Sequence, residues 1–127
     1  MGSGAKENPV RDKSYDFALR VIKLYKYLVE EKKGYVLSKQ ILRSGTSVGA
    51  NVEEAIGGQS RRDFAAKISI AYKEARETHY WLRLLLDSHF LDKDPARSLL
   101  RDCEELVKIL GSIQKTTKNN WELRIRN

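Results

Sequence analysis

Gln40-Ile41-Leu42-Arg43-Ser44-Gly45-Thr46-Ser47-Val48-Gly49-Ala50-Asn51-Val52-Glu53-Glu54-Ala55-Ile56 is the stretch whose reading decides the fold. Ile41, Gly45, Val48, Val52 and Ala55, with Leu37 before them, recur at steps of three and four. That is the period of an α-helix with one buried stripe. Against it stand Ser44, Gly45, Thr46, Ser47, Gly49 and Asn51, all poor helix formers. The two glycines alone each lose about 0.8–1 kcal/mol relative to alanine. A helix keeps such residues where a backbone must come close to something, so Gly45 and Gly49 predict tight helix–helix packing. Gln40, Arg43, Ser44, Ser47, Asn51 and Glu54 occupy another face. Short donors and acceptors there suit a snug polar contact, within the bundle or between subunits, better than plain solvent exposure.

Working outward, this helix spans about 37–56 and ends at Gly57-Gly58. Before it, Phe17, Val21, Leu24, Tyr25 and Leu28 predict a helix over 15–33, with Ser14 as N-cap and Gly34 as stop. After it, Ser60 caps a helix over 61–88 whose inner face is Phe64, Ile68, Ala71, Tyr72, Ala75, His79, Leu82 and Leu86. Asp94 as N-cap and Pro95 at the first position open a last helix over 95–115, with Leu99, Cys103, Leu106, Leu110 and Ile113 inward. Residues 1–13 read as a flexible leader and 116–127 as an unassigned tail in which Trp121, Leu123 and Ile125 alternate. Short connections between helices of similar period make consecutive helices antiparallel neighbours. The expected fold is all-α, a left-handed up-and-down four-helix bundle over residues 14–115.

The chain of 127 residues suffices for one domain. No run of about 18 apolar residues is present and no signal peptide opens the chain, so a membrane is not an expected partner. The single cysteine, Cys103, cannot form an internal disulfide, which fits a reducing cytoplasm. Lys and Arg number 24 against 17 Asp and Glu, a net charge of +7 that attracts polyanions. The metal-binding Glu-x-x-His of carboxylate bundles is missing, since Arg76 precedes His79 by three and Leu86 precedes His89 by three. Cys103 in a core stripe reads as a buried, inert thiol. Gly57-Gly58 before Ser60-Arg61-Arg62 reads as a helix stop and cap rather than a phosphate cradle. No metal, no cofactor and no catalytic activity are expected.

Gln40 through Ala55, then Ser60-Arg61-Arg62-Asp63-Phe64 and Ile70-Ala71-Tyr72-Lys73-Glu74-Ala75, resemble a bacterial four-helix-bundle family. Its members are encoded by intervening sequences in large-subunit (23S) ribosomal RNA genes, and the likeness covers about residues 14–115. Departures occur at Gly45, where alanine is frequent, and at Ala55-Ile56-Gly57, where a Glu-Gly pair is common. The resemblance implies a homo-pentameric ring. It also implies a fold akin to the accessory protein of diversity-generating retroelements, which binds nucleic acid and a reverse transcriptase. The family carries no established reaction, so the likeness implies no catalytic residue.

Two surfaces follow. Ala66, Ile70, Tyr80, Trp81 and Leu84 form a second apolar stripe on the third helix; Ile70, Trp81 and Leu84 predict a subunit contact. Arg43, Ser47, Gly49 and Asn51 are assigned to the same contact or to tight packing. Lys13, Arg20 and Lys23 on the first helix, with Arg62, Lys73, Arg76 and Arg83 on the third, are the expected phosphate contacts. The line Arg97, Arg101, Lys108 and Lys115 is diluted by Glu104 and Glu105 and reads as solvated surface. The expected function is a non-enzymatic homo-oligomer binding nucleic acid, RNA foremost, with low sequence specificity. The alternative is a protein adaptor or scaffold ring, accessory to an enzyme such as a reverse transcriptase.

Overall fold

Asn8 and Pro9 start the first helix. The Asn8 Oδ1 accepts from the Arg11 N–H at 3.1 Å and Pro9 takes the first position, where a missing N–H has no cost. The structure, a computed structural model, describes residues 8–32 and 35–126. Helix α1 runs Pro9–Tyr27 and widens into a π turn over Leu28–Lys32; α2 is Tyr35–Ile56, α3 Arg61–Asp87 and α4 Lys93–Arg126. Among the described residues there is no strand. Nor, among the described residues, is any helix long and apolar enough to cross a membrane.

The boundaries correct several expectations. Ser14 is not a cap: it is buried inside α1, its Oγ donating to the Arg11 carbonyl at 3.1 Å. Residues 9–13, read as leader, are helical, because the Asn8-Pro9 pair is itself a start signal. Lys33 and the expected stop Gly34 lie outside the described residues, as do residues 1–7. Helix α4 begins at Lys93, so Asp94 and Pro95 sit inside its first turn, where backbone N–H groups have no helical acceptor to lose. It then continues through the stretch read as a tail, to Arg126. Nothing between Lys115 and Arg126 breaks a helix, although the stretch, unassigned from sequence, shows no clear apolar period.

The core is one layer between four helices. Phe17, Val21 and Leu24 of α1 and Leu28 of the π turn meet Ile41, Val48 and Val52 of α2. Ile68, Ala75, Leu82 and Leu85 of α3 and Leu99, Cys103, Leu106 and Leu110 of α4 complete it. On α3 the inner line passes through Thr78 and Leu85, while Phe64, Tyr72, His79 and Leu86 are only half-buried at its edges. Apolarity alone does not find Thr78, which is buried because the Thr78 and Ser44 hydroxyls, 2.8 Å apart, share a hydrogen bond and Thr78 also reaches the Glu74 carbonyl. Antiparallel neighbours are joined at matching heights. Arg43 of α2 meets Glu74 and Glu77 of α3, and Gln114 of α4 donates to Ser69 of α3 at 3.2 Å.

Helix α3 stops without glycine. His89 adopts φ 63°, the left-handed region, while the N–H groups of His89 and Phe90 reach back to the carbonyls of Leu86 and Leu85 at 3.2 and 3.0 Å. That pair of bonds is a Schellman closure, with a histidine where glycine is usual.

Candidate nucleic-acid interface

Successive residues of α3 turn by 100°, so the side facing away from Ile68, Ala75 and Leu82 is fixed by the core. On it lie Arg62, Lys73 and Tyr80, bordered on one side by Arg76 and Arg83 and on the other by Ala66, Ile70 and Leu84, all exposed. Among the described residues none of these four cations has a carboxylate within ion-pair distance. The two arginines instead lie over aromatic rings. The Arg76 Cζ is 5.9 Å from the centre of the Tyr72 ring, and the Arg83 Cζ is 5.6 Å from that of Tyr80. Both pairs follow from helical spacing, Tyr72 with Arg76 at i,i+4 and Tyr80 with Arg83 at i,i+3. The Tyr80 ring, 48% exposed, meets the Trp81 ring edge-on at 5.2 Å and 63°.

The line expected on α1 is differently placed. Lys13 is ion-paired with Glu105, and Arg20 Nη1 lies 2.5 Å from Asp102 Oδ2, so both cations, though partly exposed, already have α4 carboxylates as partners. The hydrogen bond and charge of Glu105 hold the Lys13 ammonium above its ordinary pKa. Lys23 is exposed and borders a groove of about 400 Å³ shared with Arg20, Tyr27, Leu91, Asp92 and Pro95. Of the seven predicted phosphate contacts, α3 therefore gathers four on one face, while two of the other three are already engaged.

The predicted contact residues also divide. Arg43 bridges α2 to α3, its Nη1 3.2 Å from Glu74 Oε2 and its Nη2 against Glu77. Partial burial would pull its pKa down, but the two carboxylates outweigh that and raise it. The Ser47 Oγ donates to the Arg43 carbonyl at 2.6 Å, and the Asn51 Nδ2 to the Ser47 carbonyl at 2.8 Å, so these two are satisfied along their own helix, while Arg43, Ser44 and Glu54 of the same stripe pair with α3. A Cβ on Gly49 would stand 3.2 Å from the Ser14 carbonyl oxygen, and one on Gly45 only 2.7 Å from Cγ2 of Val21. Ile70 and Leu84 are exposed, and close to Ile70 around the helix stands Trp81. It is half-buried, and its Nε1 donates to Glu77 Oε2 at 3.0 Å on the side toward α2. Tyr80, on the other side of Leu84, is exposed, and the Tyr-Arg spacings were the signal in the sequence that could have singled it out.

Other chemistry has little to work with. Among the described residues no group of three or more His, Cys, Asp or Glu could hold a metal ion. The half-buried His79 Nε2 lies 3.0 Å from Glu104 Oε2, a pairing across α3 and α4. The Cys103 Sγ donates to the Ala75 carbonyl at 3.2 Å, and burial pushes its pKa up to about 12, the opposite of an activated thiol.

The chain is similar to a solved structure from Bacteroides thetaiotaomicron VPI-5482, a protein of unknown function from the S23 ribosomal protein family. The two are 53% identical with a TM-score of 0.82, over 84% of this chain and 98% of that one. No curated protein matches. Residues 6–112 match the family described as 23S rRNA-intervening sequence protein. With most of its length matched, and with the helices and the Arg43–Asn51 segment arranged as above, the chain belongs to the family of 23S rRNA-intervening sequence proteins.

Proposed function

We propose that the protein is a non-enzymatic homo-oligomer that binds RNA electrostatically through the outer face of α3. The observation that carries this reading is the set Arg62, Lys73, Arg76 and Arg83, exposed on one helix face and, among the described residues, without a carboxylate partner. Cations already neutralised gain little from a phosphate, whereas these four would release condensed counterions on contact. The net charge of +7 acts in the same direction, and assembly into a ring multiplies it. Assembly is supported by exposed apolar residues on two different faces, Ile70 and Leu84 on α3 and Tyr15, Leu19 and Ile22 on α1. Two unlike patches favour head-to-tail contacts, which form a ring where the rotation between subunits closes. The pentameric ring implied by the family resemblance is of that kind.

The test is RNA binding by fluorescence anisotropy at about 0.15 M salt, where screening extends over about 8 Å. Reversing Arg62, Lys73, Arg76 and Arg83 to Glu is compared with reversing Arg97, Arg101, Lys108 and Lys115, an equal change of charge on α4. The α3 set abolishes binding and the α4 set weakens it modestly. Equal losses would show that only bulk charge matters and that the face is misplaced. A wild type that binds no RNA at low salt would refute the reading, and the same exposed apolar residues would then favour the protein-adaptor function.

A further inference from the structure

Beyond attracting phosphates, the α3 face carries two arginine-over-tyrosine stacks, and their placement speaks to which form of RNA it takes. Tyr80 is the exposed one, with Arg83 over its ring and Trp81 against it in a T-shaped pair. Tyr72 with Arg76 is the second, Tyr72 lying half-buried against α4, where a Cβ on Gly111 would stand 3.3 Å from its ring. Arg76 and Arg83 are seven residues apart, so they point to nearly the same side, about 10 Å from one another along the axis. Lys73 and Arg62 continue the line of charge toward the start of the helix.

We infer that this face binds single-stranded RNA by receiving an unpaired base on the Tyr80–Arg83 stack, with Arg62, Lys73 and Arg76 holding the adjoining phosphates. The inference rests on the RNA-binding reading above. A base within a duplex has both faces covered by its neighbours and could offer α3 only its backbone. An unpaired base exposes a π-face of its own, and aromatic rings and guanidinium planes are the surfaces that bases stack on. Arginine is suited to both tasks because its planar cation can lie on a ring while its N–H edge meets phosphate. Trp81 packs against Tyr80 in a T-shaped pair and is itself held by its hydrogen bond to Glu77, so the platform is set before a base arrives. Stacking accepts any base, so the site would show little sequence preference.

The probes are one short fluorescent RNA as a single strand, the same RNA as a duplex, and a single strand of equal length and charge with abasic positions. Tyr80→Ala lowers affinity for the intact single strand about 5- to 150-fold. It leaves duplex and abasic affinities, and the slope of affinity against salt, unchanged. Tyr80→Phe retains wild-type binding. Arg83→Lys, which keeps the charge and loses the plane, weakens the single strand several-fold. Tyr80→Leu preserves apolar bulk for folding and assembly, both followed by circular dichroism and light scattering, and behaves as Tyr80→Ala does. Equal binding of intact and abasic strands by wild type, or unchanged binding by both Tyr80→Ala and Tyr80→Leu, would overturn the stacking role while leaving electrostatic RNA binding standing. A wild type that binds none of the probes would overturn both.

Discussion

Gly45→Ala sets two known effects against each other at one atom. Alanine in place of glycine in a helix interior gains about 0.8–1 kcal/mol of helix propensity. The new Cβ, however, would stand 2.7, 2.9 and 3.2 Å from Cγ2, Cγ1 and Cβ of Val21. Val21 is fully buried, and a β-branched side chain in a helix has essentially one χ1 rotamer, so it cannot turn aside. Either α1 and α2 separate by a fraction of an ångström or both side chains strain. Overpacking of this kind costs about 1–3 kcal/mol, which exceeds the propensity gain. The expected net change is a loss of about 1 kcal/mol, or about 4 °C in Tm for a chain of 127 residues.

The decisive version is a double-mutant cycle. Val21→Ala alone opens a cavity and costs about 2 kcal/mol. In that background the 2.7 and 2.9 Å contacts with the Val21 methyls are gone and only the 3.2 Å approach to the Cβ remains, so the same substitution becomes stabilising by up to about 1 kcal/mol. The sign reversal implies a coupling of about 2 kcal/mol between the two sites. Urea unfolding followed by far-ultraviolet circular dichroism measures all four proteins, at one protein concentration because assembly would shift the apparent stability. Should Gly45→Ala stabilise the wild type, or change stability equally in both backgrounds, the close approach at Val21 is not what keeps glycine there.

Two further outcomes are expected. Cys103 has a folded pKa of about 12, raised from 9.0 by burial; its contribution is fully present below pH 9.0 and is lost as pH rises toward 12. Cys103→Ala should therefore flatten the alkaline limb of the stability profile, and an unchanged limb would place its cause elsewhere. Replacing Ile70 and Leu84 with Glu should shift the protein to monomer in light scattering with helicity retained; a monomeric wild type, or a mutant that still assembles, would remove α3 from the contact.

Helical periodicity made the four helices legible because each has a continuous inner stripe. Ile41, Val48 and Val52, and likewise Leu99, Cys103, Leu106 and Leu110, are where the spacing puts them. The ends were harder, since starts and stops rest on one or two residues. Asn8-Pro9 was passed over for Ser14, and the last turns of α4 lack an apolar period although nothing in them opposes a helix. Thr78 shows the other limit: a hydroxyl joins a core when its partner is Ser44 on a different helix, and no pattern within α3 reveals that. The basic lines were visible as lines, but a sequence does not say which carboxylate lies opposite. Lys13 and Arg20 look as available as Lys73 until α4 brings Glu105 and Asp102 beside them.

The four seams of the bundle are closed by different chemistry, and this bears on where a partner can act. Small residues let α1 and α2 approach at Gly45 and Gly49. Between α2 and α3, the buried Ser44–Thr78 bond and the Arg43 bridge add direction to the packing. Between α3 and α4, Cys103, His79 and Gln114 each reach across. The α1–α4 seam is closed on its outside by Lys13–Glu105 and Arg20–Asp102, both partly exposed. Exposed pairs of this kind add little to stability and weaken with salt. Helix α3 is thus joined by buried or bridging contacts to both neighbours, whereas α1 is joined to α4 at its weakest side. A binding face needs side chains held in place before the ligand arrives, and the cation–tyrosine stacks stand on the helix most firmly fixed on either side.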